Sequence, residues 1–106
     1  MADQIVLALS TFPNRETAQR ISNQLVTEKF AACANILPGI ESIYRWQGRI
    51  ETGAEQLLLI KTVDERVDAL HAALAARHPY EVPEVVVIRM DDVRGPWREW
   101  LIESVR

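Results

Sequence analysis

Two histidines, one cysteine and a pair of adjacent aspartates are the side chains here best suited to hold a metal ion. His71 and His78 stand seven residues apart. On one helix they would point in nearly the same direction but lie about 10 Å apart along its axis. Metal–nitrogen bonds of roughly 2 Å cannot close that gap, so the pair makes no site by itself. Cys33 sits within Ala31-Ala32-Cys33-Ala34 and reads as a small apolar strand residue. Asp91-Asp92 could attract a hard cation such as Mg²⁺ or Ca²⁺, although two acids in a loop are ordinarily just solvated.

Covalent catalysis finds no machinery. Ser10 and Ser42 lack the flanking glycines of a nucleophile elbow, and neither histidine has an assigned partner. The glycines are scattered at turn positions, so no phosphate-cradling loop is formed. Glu81 and Glu84 flank Val82-Pro83 and read as surface acids paired with Lys61 or Arg77. An enzyme is not expected. Tyr44, Trp46 and Tyr80 join large apolar area to a polar tip, which suits a subunit boundary as well as packing within one chain. Trp97 and Trp100 read as core or helix-docking residues.

The elements that must position these groups follow from periodicity. Ile5–Leu9 is a short apolar, β-branched run ended by Ser-Thr-Phe-Pro, a buried strand. Asn14 can cap a helix on which Ala18, Ile21, Leu25 and Val26 form one face. A strand beginning near Ala31 is interrupted at Pro38-Gly39 and resumes from Ile40 to Trp46. Gln47-Gly48 then makes a tight turn, glycine supplying the positive backbone angle. The chain returns through Arg49–Glu51 into Gln56–Lys61. Asp64 caps a second helix, with Val67, Leu70 and Leu74 inward, which must stop near His78 because Pro79 follows. Glu84–Met90 is a further strand, apolar on both faces and therefore expected to be central. Gly95-Pro96 opens a last helix. The order β-α-β-β-α-β plus a C-terminal helix is that of an α+β, ferredoxin-like sandwich with a long central β-hairpin.

With 106 residues, 48% of them hydrophobic and 25% charged, the chain is expected to be a single ordered domain. Its 12 basic and 15 acidic residues form no basic stripe, which argues against a nucleic-acid partner. The longest apolar runs, Leu57–Ile60 and Val85–Ile88, are far short of the ~20 residues that span a bilayer, so membrane insertion is not expected. The opening Met1-Ala2-Asp3-Gln4 lacks the basic and apolar regions of a secretion signal. A lone cysteine suits a reducing compartment, and a cytoplasmic location is expected.

The hairpin is too long for its domain. Each arm would extend roughly 50 Å at about 3.3 Å per residue. A compact chain of this size has a radius of gyration of ~13 Å, hence a diameter of about 33 Å. The outer part carries Ile40, Tyr44 and Trp46 on one face and Ile43 and Ile50 on the other. A free two-stranded ribbon of that kind is marginal and aggregation-prone. Burial against other subunits resolves both problems, so an oligomer is expected.

These residues also carry a resemblance. Ala31–Ile36, Ile43-Tyr44-Arg45-Trp46-Gln47-Gly48-Arg49-Ile50-Glu51, Leu59-Ile60-Lys61-Thr62 and His78-Pro79-Tyr80-Glu81-Val82-Pro83-Glu84 resemble the CutA divalent-cation-tolerance family. Trp97–Ile102 and the opening Ser10-Thr11-Phe12-Pro13 fit too, so the likeness covers nearly the whole chain. It implies a homotrimer built through extended hairpins and a role in tolerance of divalent metals, copper in particular. The cofactor would be Cu²⁺ or another divalent cation. The family's proposed copper ligands are a cysteine late in the first strand and two adjacent histidines before the Pro-Tyr. Here those positions hold Ser10 and Arg77-His78, so His78 alone remains. The likeness of such trimers to PII signalling proteins implies an alternative role: a module holding a small molecule or anion between subunits. Tyr44, Arg45, Trp46, Lys61 and Tyr80 are the expected interface or cleft residues. A scaffold for an unidentified protein partner is the third reading.

Overall fold

The computed structural model describes residues 3–106; Met1 and Ala2, where the expectation about the chain's opening begins, lie outside that range. The elements are β1 (Ile5–Phe12), α1 (Arg15–Thr27), β2 (Cys33–Trp46), β3 (Arg49–Val63), α2 (Val67–Arg77), β4 (Val86–Arg89) and α3 (Gly95–Ser104). They form one antiparallel sheet in the order β2-β3-β1-β4. This is the expected ferredoxin-like order. Asn14 caps α1 as read, its Oδ1 accepting from the Thr17 amide at 2.9 Å.

Strand alternation builds two faces. Ala8, Phe12, Leu58 and Ile60 point to one side and pack against Ala18, Ile21 and Leu25 of α1 and Leu70, Ala73 and Leu74 of α2. Ile5 and its register partner Val63 point to the other, where Leu101, Ile102 and Val105 cover them. α3 therefore closes only one end of the second face. The rest of that face, with Leu9 opposite Val86 and Leu7 opposite Ile88, has no covering element among the described residues, and Val86 and Ile88 are exposed.

Three expectations are corrected. β4 is an edge strand, not a central one; Val85 and Val87 pack on the core beneath the helices, while Val86 and Ile88 on its other side are exposed. Asp64 starts a 3₁₀ turn (Asp64–Arg66) without capping it and instead pairs with Arg89 at 2.8 Å. Trp97 and Trp100 are exposed, their rings tilted by 36° with centroids 6.0 Å apart, while their helix buries Leu101 and Ile102.

The hairpin overhangs. β1 pairs with β3 only as far as Phe12 opposite Gln56, whereas β2 and β3 remain paired from Ile40–Glu55 out to Trp46–Arg49. The molecule is accordingly 46 Å long but 26 and 23 Å across. Pro38-Gly39 forms the bulge, where two residues of β2 face Gln56 alone and Gly39 takes φ 68°. At the tip Gln47 and Gly48 both have positive φ, as a type I′ turn requires.

Candidate functional site

Between the overhanging ribbon and the loop that follows α2 lies a cleft of about 640 Å³. The ribbon contributes Ser42, Ile43, Tyr44, Trp46 and Glu55, the loop Pro79 to Val82 and Glu84, and the end of β1 Thr11. The bulge matters here. By inserting one residue it puts Ile40, and with it Ser42, Tyr44 and Trp46, on the face shared with Glu55.

The loop is held by a chain of side chains that begins at His78. Pro79 forces His78 out of helical geometry, to φ −70° and ψ 138°. Its ring then lies on buried Phe12, with centroids 4.3 Å apart and planes 22° apart. The Tyr80 amide can only donate, and it donates to His78 Nδ1 at 3.1 Å. The ring proton therefore sits on Nε2, which donates to the Thr11 carbonyl at 2.8 Å. Burial depresses the His78 pKa, opposed by the Thr11 carbonyl and the charge of Glu55, so the ring is neutral. Tyr80 extends the chain by donating its hydroxyl to Glu55 Oε2 at 2.6 Å. Burial first, then the hydrogen bond and charge of Glu55, push the Tyr80 hydroxyl well above its ordinary pKa. The phenol is a fixed donor. β1, the loop and the ribbon are thus linked through His78, Tyr80 and Glu55.

Of the expected interface or cleft residues, the fold brings Tyr44, Trp46 and Tyr80 together. Arg45 pairs in register with Ile50 on the other face of the ribbon, and Lys61 lies further along β3, bonded to Asn35. Neither lines the cleft. Glu81 and Glu84 line the cleft without pairing to Lys61 or Arg77: Arg77 instead grips Glu28 with both arms at 2.8 and 2.9 Å, clamping the end of α2 to the end of α1. Glu55 was not singled out from the sequence. No local signal marks it, since the ribbon also carries Glu41 and Glu51 and the tyrosine that chooses Glu55 lies 25 residues further on.

A family model described as CutA1 divalent ion tolerance protein matches residues 6–104. The chain belongs to that family. The rice protein "Protein CutA 1, chloroplastic" is 43% identical over 95% of this chain and 57% of its own length. The chain thus spans just over half of that relative, and likewise 56% of the Arabidopsis thaliana one. "Divalent-cation tolerance protein CutA" of Thermus thermophilus is 42% identical over 92% of this chain and 95% of itself. Among solved structures, CutA1 from Oryza sativa superposes with a TM-score of 0.94 at 42% identity, covering 97% of this chain and 94% of that one. The Thermus thermophilus protein gives 0.90 at 40% identity, covering 99% and 100%.

The positions that the CutA resemblance proposes for copper do not converge as donors in this chain. Ser10 is wholly buried under the helices, its Oγ without a hydrogen-bond partner. Arg77 is the clamp on Glu28. His78 has both nitrogens engaged, which leaves no free lone pair on the ring as placed. No group of three or more His, Cys, Asp or Glu among the described residues is arranged to hold a metal ion. Asp92 is taken by Arg94, whose guanidinium holds its carboxyl below the usual range. Burial raises the Cys33 pKa, only partly opposed by Lys61, so Cys33 stays a thiol.

Proposed function

We propose that this chain acts as a homotrimeric divalent-cation-tolerance protein of the CutA type. The observation that carries the reading is the family match over residues 6–104. Two features of the fold support assembly. The ribbon overhangs the globule with Ile43 and Ile50 exposed at 67% and 60%, and the sheet face carrying Val86 and Ile88 is uncovered. Both are apolar surfaces that neighbouring copies would bury. Light scattering at low concentration is expected to return three times the 12.1 kDa chain mass. A stable protomer would remove the assembly reading.

Copper is the cation we propose, and His78 is the one soft donor of the family's set that this chain retains. To accept it, Nδ1 must release the Tyr80 amide, so binding is coupled to movement of the loop. Calorimetric titration of the assembled protein with Cu²⁺ is expected to give heat that His78→Ala abolishes. Equal heats from both proteins would move copper away from His78.

A second reading, a module that binds a small molecule, is favoured by the cleft beneath the ribbon. Its volume falls in the range of about 300–1,000 Å³ typical of small-ligand sites.

A further inference from the structure

The cleft is chemically one-sided. Its lining holds three carboxylates, Glu55, Glu81 and Glu84, and three aromatic rings, Tyr44, Trp46 and Tyr80, with no lysine, arginine or histidine among them. An anion would find no counter-charge there. A bare metal ion needs several oxygens converging within about 2.0–2.6 Å. Yet no three acids or histidines among the described residues are grouped closely enough to hold one. The negative charge is instead spread along the walls of a space about 640 Å³ in size, between aromatic surfaces. Spread charge and ring faces suit a ligand that carries separated positive groups on an apolar backbone. Aromatic faces attract ammonium groups within about 6 Å, and an alkyl chain between those groups fits the apolar surface of Pro79 and Val82.

We propose that this cleft binds an organic polycation of the aliphatic polyamine class. The inference rests on the second reading above, that the cleft takes a small molecule, and is independent of copper at His78. Glu55, already fixed by the Tyr80 hydroxyl, anchors one ammonium group at the floor. Glu81 and Glu84, both exposed on the loop, engage the other end. Tyr44 and Trp46 flank the chain between them.

The test uses the intact, assembled protein with spermidine as probe, and citrate and Mg²⁺ as comparators, by calorimetry at low and raised ionic strength. Spermidine is expected to bind and to weaken with salt, with neither citrate nor Mg²⁺ displacing it at equal concentration. Glu81→Gln/Glu84→Gln should weaken it at least about tenfold, the scale of losing one charge-assisted contact. Trp46→Phe should remove the accompanying change in indole fluorescence. Binding unaffected by the double substitution overturns the proposal, as does displacement by Mg²⁺. Binding of citrate without spermidine overturns the polycation while leaving a small-molecule cleft; no binding of any probe overturns both. If the double variant changes the scattering mass instead, the cleft is filled by a second copy and the proposal fails.

Discussion

His78 and Ser10 show how differently a polar side chain behaves once buried. The neutral His78 ring is satisfied at both nitrogens, and burial holds its pKa below the ordinary value near 6.5. The folded state therefore binds fewer protons there than the unfolded chain does. Its contribution is complete above pH ~6.5 and is lost as pH falls from there toward the depressed value. Denaturant unfolding of the native protein is expected to show declining stability across that window. The decline should be shallower in His78→Phe, whose ring can still stack on Phe12. Ser10 is the opposite case: a fully buried hydroxyl with no partner. Ser10→Ala removes a desolvated group and little volume, so it should be neutral or stabilise by about 1 kcal/mol, read as a rise of a few degrees in Tm. A loss of several degrees would mean that the hydroxyl has a partner after all.

Among the elements, the hairpin turn departs most from what its residues prefer. Gln47 sits at φ 50° and Gly48 at φ 78°. Only Gly48 adopts that region without penalty, and asparagine tolerates it better than glutamine does. Gln47→Asn should raise stability by a few tenths of a kcal/mol, while Gly48→Ala should cost about 1–2 kcal/mol, both measured by thermal unfolding. The loop after α2 depends on its tie to the ribbon. Tyr80→Phe keeps the ring against His78 but deletes the bond to Glu55. Amide exchange over residues 78–85 should accelerate about tenfold, with the core helices unchanged; uniform acceleration would mean that the tie supports the whole fold.

For the whole molecule the decisive feature is apolar surface with nothing of its own to cover it. Burying a side chain such as isoleucine is worth about 1.5–3 kcal/mol, so covering Ile43 and Ile50 would favour the proposed assembly. Ile43→Glu together with Ile50→Lys is expected to reduce the scattering mass toward 12.1 kDa while leaving the far-ultraviolet circular dichroism of the protomer in place. An unchanged mass would show that assembly, if present, uses other surfaces.

Local chemistry settles much of this fold. Proline placement ended α2 at His78, Asn14 started α1, Pro38-Gly39 bent the strand, and alternation counted the strands. These are decided within a few residues of chain, by sterics and by the nearest hydrogen bond. The overhang was legible as well, because arm length is a sum over sequence. What lay beyond reach depends on partners distant in the chain. Nothing local tells β4 that it is an edge, since the strand order is set by how two crossovers pack. The exposure of Trp97 and Trp100 depends on which side of α3 meets Ile5 and Val63. The bond from Tyr80 to Glu55 joins residues 25 apart, and Arg77 finds Glu28 across 49. The sequence by itself determined the elements, their order and the excess length of the hairpin. Only the tertiary structure decided which carboxylates and rings share a cleft, because that follows from the bulge, the register and the path of one loop acting together.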